Sequence, residues 1–254
     1  MTELTDARRA RSFDLAAAQY DHARPGYPPA LFDLVEELAG RPLAGARVAD
    51  VGAGTGIATR LLRERGAQVT AVEPGAGMAA QLRRATPGVP VVRGLGDALP
   101  LASSSLDLVT YAQSFHWTDP DRSLPEALRV LRPGGALAVW WNIADNGVPW
   151  IAAQAKRMWT DLGGGVYGTP GRAGELPADP LRTEHRLHWT RRVPLETHLA
   201  NIGSHSLFLA GDPDRGRAFL DRERGLLLRE FPDGTVEEVY AVELIVTRRP
   251  PRNA

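Results

Sequence analysis

The stretch Val48-Ala49-Asp50-Val51-Gly52-Ala53-Gly54-Thr55-Gly56 decides how this chain folds. The short β-branched run Arg47–Val51 ends in glycines at 52, 54 and 56. Ile57, Leu61 and Leu62 then follow at helical spacing. A strand therefore passes through a glycine turn into a helix. Glycine lets the backbone turn sharply and lets another molecule approach it closely. The helix start adds outward N–H groups and partial positive charge.

Working outward, Gln68–Glu73, Val89–Arg93, Leu106–Tyr111 and Ala136–Trp141 are further strand candidates. Met78 and Leu82 lie on a helix after the second strand, and a helix at about Asp121–Leu131 precedes the fifth. Pro133-Gly134-Gly135 stops that helix and turns the chain. Strands alternating with helices predict βαβ units and a parallel sheet. Upstream, Asp6 to about Tyr20 and Pro29–Leu38 read as helices, joined by the irregular Ala23–Pro28. Downstream, Pro149–Leu162 reads as a helix and the Gly- and Pro-rich Gly163–Pro180 as a loop. Glu184–Arg192 alternates as a strand, Pro194–Ile202 and Pro213–Arg229 read as helices, and Val236–Val246 is a final strand.

At 254 residues the chain falls between one and two average domains. Its 43% hydrophobic and 24% charged content is ordinary globular usage. Thirty Lys and Arg balance thirty Asp and Glu, so no net field recruits nucleic acid or an anionic membrane. Lys156 is the only lysine, and the arginines are scattered among acids. With no cysteine, disulfides, zinc–thiolate sites, iron–sulfur clusters and a thiol nucleophile are excluded. Met1–Arg11 lacks the apolar centre of a signal peptide, and Ala136–Trp141 is far too short to span a bilayer. A cytoplasmic protein without metal, nucleic-acid or membrane partners is expected, as a monomer or homodimer.

The glycine spacing discriminates. A dinucleotide fingerprint needs a glycine at position 57, which is Ile57. Glu73 stands at the end of the second strand, where a carboxylate can accept both hydroxyls of an adenosine ribose. Loop and strand-end acid together are more specific than either alone. The bland alternative is a tight strand–helix turn with a solvated Glu73.

Val48–Gly56 resembles the first motif of class I S-adenosylmethionine (SAM) dependent methyltransferases. Further segments agree in order: Glu73; Gly96-Asp97-Ala98-Leu99-Pro100-Leu101 before Ser105-Leu106-Asp107-Leu108-Val109; and Leu131-Arg132-Pro133-Gly134-Gly135. The resemblance spans roughly Arg47–Trp141. Phe13, Ala17, Tyr20, Arg24-Pro25, Tyr27-Pro28 and Gln113-Ser114-Phe115-His116-Trp117 are similar to small-molecule methyltransferases of the trans-aconitate and ubiquinone-biosynthesis types.

The resemblance implies an α/β, Rossmann-like, seven-stranded, mostly parallel sheet with the last strand antiparallel and a helical cap. It implies lid helices over 1–40, a SAM-binding core over 41–142, a substrate cap over 143–182 and 194–235, and C-terminal strands over 183–193 and 236–248. Gly52, Ala53, Gly54, Thr55 and Gly56 would lie along the methionine and ribose parts of the ligand. Glu73 would bind the ribose; Pro74 and Met78 would flank the adenine; Asp97 and the Ala98 N–H would meet its edge. Asp50 would orient the loop or the ligand's ammonium, or serve only as a structural cap. Tyr20, Arg24 and Tyr27 would form a lid, with Arg24 on the ligand's carboxylate.

Gln113 and Ser114 would adjoin the cofactor. Phe115, His116, Trp117, Trp141, Asn142 and His205 would face the acceptor. Methyl transfer from a sulfonium needs alignment and exclusion of water, and no protein nucleophile. His116 is the histidine placed to act as a general base; a plain substrate hydrogen bond or packing beneath the loop are the alternatives. His185 and His188 lie three apart on a strand, so they cannot chelate one metal. SAM-dependent methylation of a small molecule, yielding S-adenosylhomocysteine, is the expected function. A SAM-binding decarboxylase or cyclase, and a non-catalytic SAM-binding module, are the rivals.

Overall fold

The computed structural model describes residues 23–163, 182–209 and 211–250. The expected helix Asp6–Tyr20, Tyr20 itself and residues 164–180 of the expected loop lie outside them. In chain order the elements are α1 (Pro29–Ala39), β1 (Arg47–Val51), α2 (Ile57–Glu64), β2 (Gln68–Val72), α3 (Ala76–Ala85), β3 (Val91–Val92) and β4 (Leu106–Ala112). Then follow α4 (Pro120–Val130), β5 (Leu131–Ala144), α5 (Pro149–Leu162), β6 (Arg182–Pro194), α6 (Leu195–Gly203), α7 (Ser206–Leu209), α8 (Pro213–Glu230) and β7 (Thr235–Arg248).

The strands form one seven-stranded sheet in the order β3-β2-β1-β4-β5-β7-β6. β3, β2, β1, β4 and β5 pair in parallel. β7 runs antiparallel to β5: Arg249 N–H donates to Gly135 O at the start of β5, and Asp145 N–H to Val239 O beyond its end. Central strands are covered on both faces, as parallel strands must be. Val48, Ala49, Leu108, Val109, Ala136 and Ala138 are all buried.

Two boundaries differ from the sequence reading. β3 shrinks to Val91–Val92, because only Val91 and Val92 register against β2 at this edge. β5 starts at Leu131, directly after α4, so Pro133-Gly134-Gly135 is not a separate turn. The register jumps from Leu106↔Leu131 to Leu108↔Ala136, and this bulge absorbs the three residues.

The chain divides into two compact units. One holds the described residues of 26–141, 171–187 and 242–254; the other those of 1–25, 142–170 and 188–241. In the first, the chain runs outward from β1 to β3, then returns so that β4 lies on the other side of β1. Strand order reverses there, and in open α/β sheets ligands bind at the carboxyl ends of the strands beside such a reversal.

Candidate functional site

The glycine loop stands at that reversal, between β1 and α2. Gly52 and Ala53 donate their N–H groups to Val72 O at 2.8 and 3.1 Å, folding the loop over the end of β2. Gly52 has φ +67°, and a Cβ there would lie 2.5 Å from Ser114 Cβ. That glycine is required by close packing. Gly54 has φ +58°, but a Cβ there would meet nothing within 4 Å. The loop therefore presents an open face at Gly54.

Glu73, 7% exposed, is gripped by the backbone. Its Oε2 accepts the Gly54 N–H at 2.8 Å and its Oε1 accepts the Gly75 N–H at 2.7 Å. Each carboxylate oxygen has a second lone pair, so the orientation is fixed while accepting capacity remains. The buried Thr55 hydroxyl has no hydrogen-bond partner among the described residues. An open glycine face and an unmatched hydroxyl on one loop, beside an oriented carboxylate at the end of β2, suit a polar ligand such as a nucleoside.

Asp50 is wholly buried. Thr59 Oγ1 on α2 donates to it at 2.6 Å, and Thr110 Oγ1 on β4 at 3.1 Å. Burial pushes its carboxyl up to about 6, against the opposing pull of the two threonines. Both oxygens serve to pin β1, β4 and α2.

Asp97 lies on the turn after β3, and its Oδ1 accepts the Asp119 N–H at 3.0 Å, tying this turn to the segment after β4. The Ala98 N–H donates to Leu95 O at 3.3 Å, so it is engaged within the turn. The Pro74 carbonyl accepts from the Arg93 guanidinium. Met78 is buried on α3 with Ala79 and Leu82, which sets it in the helix's packed face.

Past β4, Gln113 adopts φ +59°, a left-handed conformation uncommon for a side-chain-bearing residue. Its N–H donates to Trp140 O at 2.9 Å. Ser114 Oγ donates to Val51 O at 2.5 Å, so this hydroxyl locks the turn to the end of β1. Phe115 is 1% exposed and stands edge-on to Tyr111, with ring centroids 5.1 Å apart. It is buried at the start of the 3₁₀ turn Phe115–Trp117. His116 accepts at Nδ1 from Trp141 Nε1 at 3.3 Å, and Trp117 is 42% exposed, with its ring 4.8 Å from that of His116. Tyr27 stacks edge-on against the buried Trp140, with centroids 5.7 Å apart.

Arg24, Asn142 and His205 belong to the other unit. Arg24 Nη2 donates to Ser204 O at the carboxyl end of α6, where a cation suits the helix dipole. Asn142 Oδ1 accepts from Trp189 Nε1 at 2.9 Å. The His205 imidazole is held well below its ordinary range by burial and by the nearby Arg24 and His198. Around them runs a buried polar network that the sequence did not reveal. Glu238 accepts from Arg191 at 2.5 Å and from Tyr240 at 2.8 Å, and lies 2.7 Å from His198 Nδ1. Gln154 lies 3.2 Å from His198 Nε2 and donates to the fully buried Glu223, which Arg157 also binds. Gly75, adjacent to Glu73-Pro74, could have been found from the local turn; Thr59, Thr110 and this network carry no local signal.

Among the described residues no three His, Asp or Glu side chains converge as metal ligands, and no helix is long and apolar enough to cross a membrane.

Residues 49–139 match the family described as a methyltransferase domain. An uncharacterized methyltransferase of Mycobacterium tuberculosis is 36% identical over 228 residues, 88% of this chain and 89% of that one. A malonyl-[acyl-carrier protein] O-methyltransferase of Enterobacter lignolyticus is 35% identical over 138 residues, 54% of each chain. Among solved structures, one described as a type II methyltransferase of Anaeromyxobacter dehalogenans superposes with TM-score 0.72 at 27% identity. It covers 90% of this chain and 99% of its own.

Proposed function

Because the chain belongs to the class I SAM-dependent methyltransferases, we propose that it transfers the methyl group of SAM to a small-molecule acceptor in biosynthetic metabolism. The observation that carries this reading is the double grip of Gly54 and Gly75 on Glu73. It leaves a strand-end carboxylate oriented to accept a pair of hydroxyls, beside a loop whose Gly54 face is open.

When bound, SAM supplies a methyl group already activated on a sulfonium. The chain's own residues bind and orient. Glu73 accepts the ribose hydroxyls, and the Thr55 hydroxyl takes a polar atom of the ligand. Asp97 receives the adenine amine. Asp50, Thr59 and Thr110 keep the loop's base rigid, and Ser114 fixes the turn that carries His116. Holding donor and acceptor in line and keeping water out accounts for much of the rate in such a transfer. The malonyl-[acyl-carrier protein] O-methyltransferase relative supports an oxygen acceptor.

Calorimetric titration with SAM tests the assignment. Glu73→Ala, and separately Gly54→Asp, should abolish measurable binding while the far-ultraviolet spectrum stays that of the folded protein. Unchanged affinity in both variants would refute it.

A further inference from the structure

We propose that the amino end of the sheet, away from the glycine loop, binds a phosphate dianion through Arg41, Arg47 and Arg132, gathered around Asp107. Nothing in this site depends on methyl transfer. Arg47 opens β1, and the glycine loop leaves the other end of that strand, about 13 Å away. Asp107 stands near the start of β4 with its side chain 4% exposed. It accepts the Arg47 backbone N–H at Oδ2, 2.7 Å away. Three guanidiniums crowd the same carboxylate. Arg132 Nε lies 2.7 Å and Arg41 Nη1 3.0 Å from Oδ1, and Arg47 Nε lies 3.6 Å from Oδ2.

The fold gathers these groups from four places in the chain. Arg132 sits in the bulge of β5, where the register jumps between Leu106 and Leu108, the two neighbours of Asp107. Bulges re-aim side chains in this way. A Cβ on Gly135, in the same bulge, would lie 3.1 Å from Asp107 O, so the backbones pack closely here. Arg248 Nε donates to Leu38 O at 2.7 Å, and Arg249 Nη1 to Leu128 O at 2.9 Å. Each stands at the carboxyl end of a helix, where the dipole favours a cation. Those two guanidiniums are taken up by the helix ends; the other three are not.

Burial would raise the Asp107 carboxyl, but the Arg47 N–H and the guanidiniums of Arg41, Arg132 and Arg47 outweigh it and hold it below its ordinary range. Asp107 is therefore ionised at neutral pH and cancels one positive charge of three. Among the described residues no other acid pairs with these arginines. Holding Asp107 does not need all three, because Arg47 Nε at 3.6 Å is beyond hydrogen-bond reach. Arg41 Nε is buried and has no hydrogen-bond partner among the described residues. A guanidinium carries five N–H donors in a planar fork that matches phosphate oxygens. Two surplus charges and spare donors fit a group of charge near −2 with three accepting oxygens, which describes a phosphate monoester. A carboxylate would cancel only half of the surplus. Arg47 and Arg132 are partly exposed, so such a group can arrive from solvent. The balanced charge of the whole chain hides this local excess.

Calorimetric titration of the full chain with inorganic phosphate, and with glycerol 3-phosphate, tests the site at about 0.1 M KCl, where loose ion-atmosphere effects are screened. Both probes should bind saturably, with one site per chain. Arg47→Gln keeps the backbone N–H on Asp107 and leaves Arg41 and Arg132 in place, so it should fold, as the far-ultraviolet spectrum checks. It should weaken binding about 10- to 100-fold, the loss of a hydrogen bond between charged groups, and so should Arg132→Gln. Arg217→Gln, at an exposed arginine paired with Asp214 on α8, should leave binding unchanged. Acetate at equal concentration should not compete. Sedimentation with phosphatidylcholine vesicles carrying phosphatidic acid separates the sources of the phosphate. Retention that Arg47→Gln abolishes identifies a lipid headgroup; no retention, beside intact phosphate binding, identifies a soluble phosphate. Absence of saturable binding to both probes overturns the proposal. So does binding undiminished in Arg47→Gln and Arg132→Gln, which would put the anion elsewhere, such as the glycine loop. Equal competition by acetate overturns the dianion. No arm uses SAM, so failure of the methyl-transfer reading leaves the result standing.

Discussion

Gly54 donates its backbone N–H to Glu73 Oε2 across 2.8 Å, joining the first glycine-rich loop to the end of the next strand. Glu73→Gln keeps the side chain's shape but replaces one accepting oxygen with an NH₂ group. One of the Gly54 and Gly75 N–H groups then loses its acceptor, at a cost of about 1–3 kcal/mol. The melting temperature should fall and SAM affinity should drop at least about tenfold. Calorimetry on the same sample reads both.

Gly52 and Ser114 make the opposite kind of contact. A methyl at position 52 would lie 2.5 Å from Ser114 Cβ and sit at φ +67°. Gly52→Ala should destabilise by about 2–4 kcal/mol through overpacking and backbone strain. Ser114→Gly added to it should recover the clash but not the strain. A denaturant-based double-mutant cycle should therefore show a coupling of opposite sign to the destabilisation.

Asp50 gives stability a pH dependence of unusual sign. Burial raises its carboxyl to about 6 in the folded state, above the ordinary 3.8. Between those values the native state binds more protons than the unfolded one, so this contribution falls as pH rises from about 4 to 6 and is flat above. The full difference is about 3 kcal/mol. Asp50→Asn should remove that slope, and urea denaturation at about pH 4 and pH 7 compares the two proteins.

Glu238 works in the other direction. Burial would raise its carboxyl, but His198, by hydrogen bond and by attraction, and Arg191 outweigh burial and bring it down to about 2 from 4.5. The stability this supplies is complete above about pH 4.5 and is lost as pH falls toward 2, about 3 kcal/mol in all. Glu238→Gln should flatten the acid limb. At neutral pH it should also cost about 1–3 kcal/mol, since the half-buried Arg191 and the buried His198 lose a charged partner. Acid titration followed by circular dichroism tests both.

The elements were legible because their signals are local. β1, α5 and the starts of α1 and α8 stand where apolar spacing, Pro at a helix start and glycine turns put them. β5 was read too short, because Pro133-Gly134-Gly135 looks like a turn in sequence and becomes a bulge only when β4 and β7 hold it from both sides. Phe115 shows a related limit of local reading. Its place after β4 is a matter of sequence, but the inward turn that packs it on Tyr111 is not.

The sequence by itself determined the parallel α/β core, the glycine loop, Glu73 as its strand-end acid and the family. Each rests on short motifs, or on their order along the chain, where spacing alone implies geometry. The tertiary structure decided what the ambiguous polar residues do. Asp50 became a pin once Thr110, sixty residues away, donated to it. Ser114 became a lock on Val51, and His116 met the indole of Trp141, on the neighbouring strand. A hydrogen-bonding group takes its role from the partner it meets, and for these residues the sheet brings that partner from a distant part of the chain.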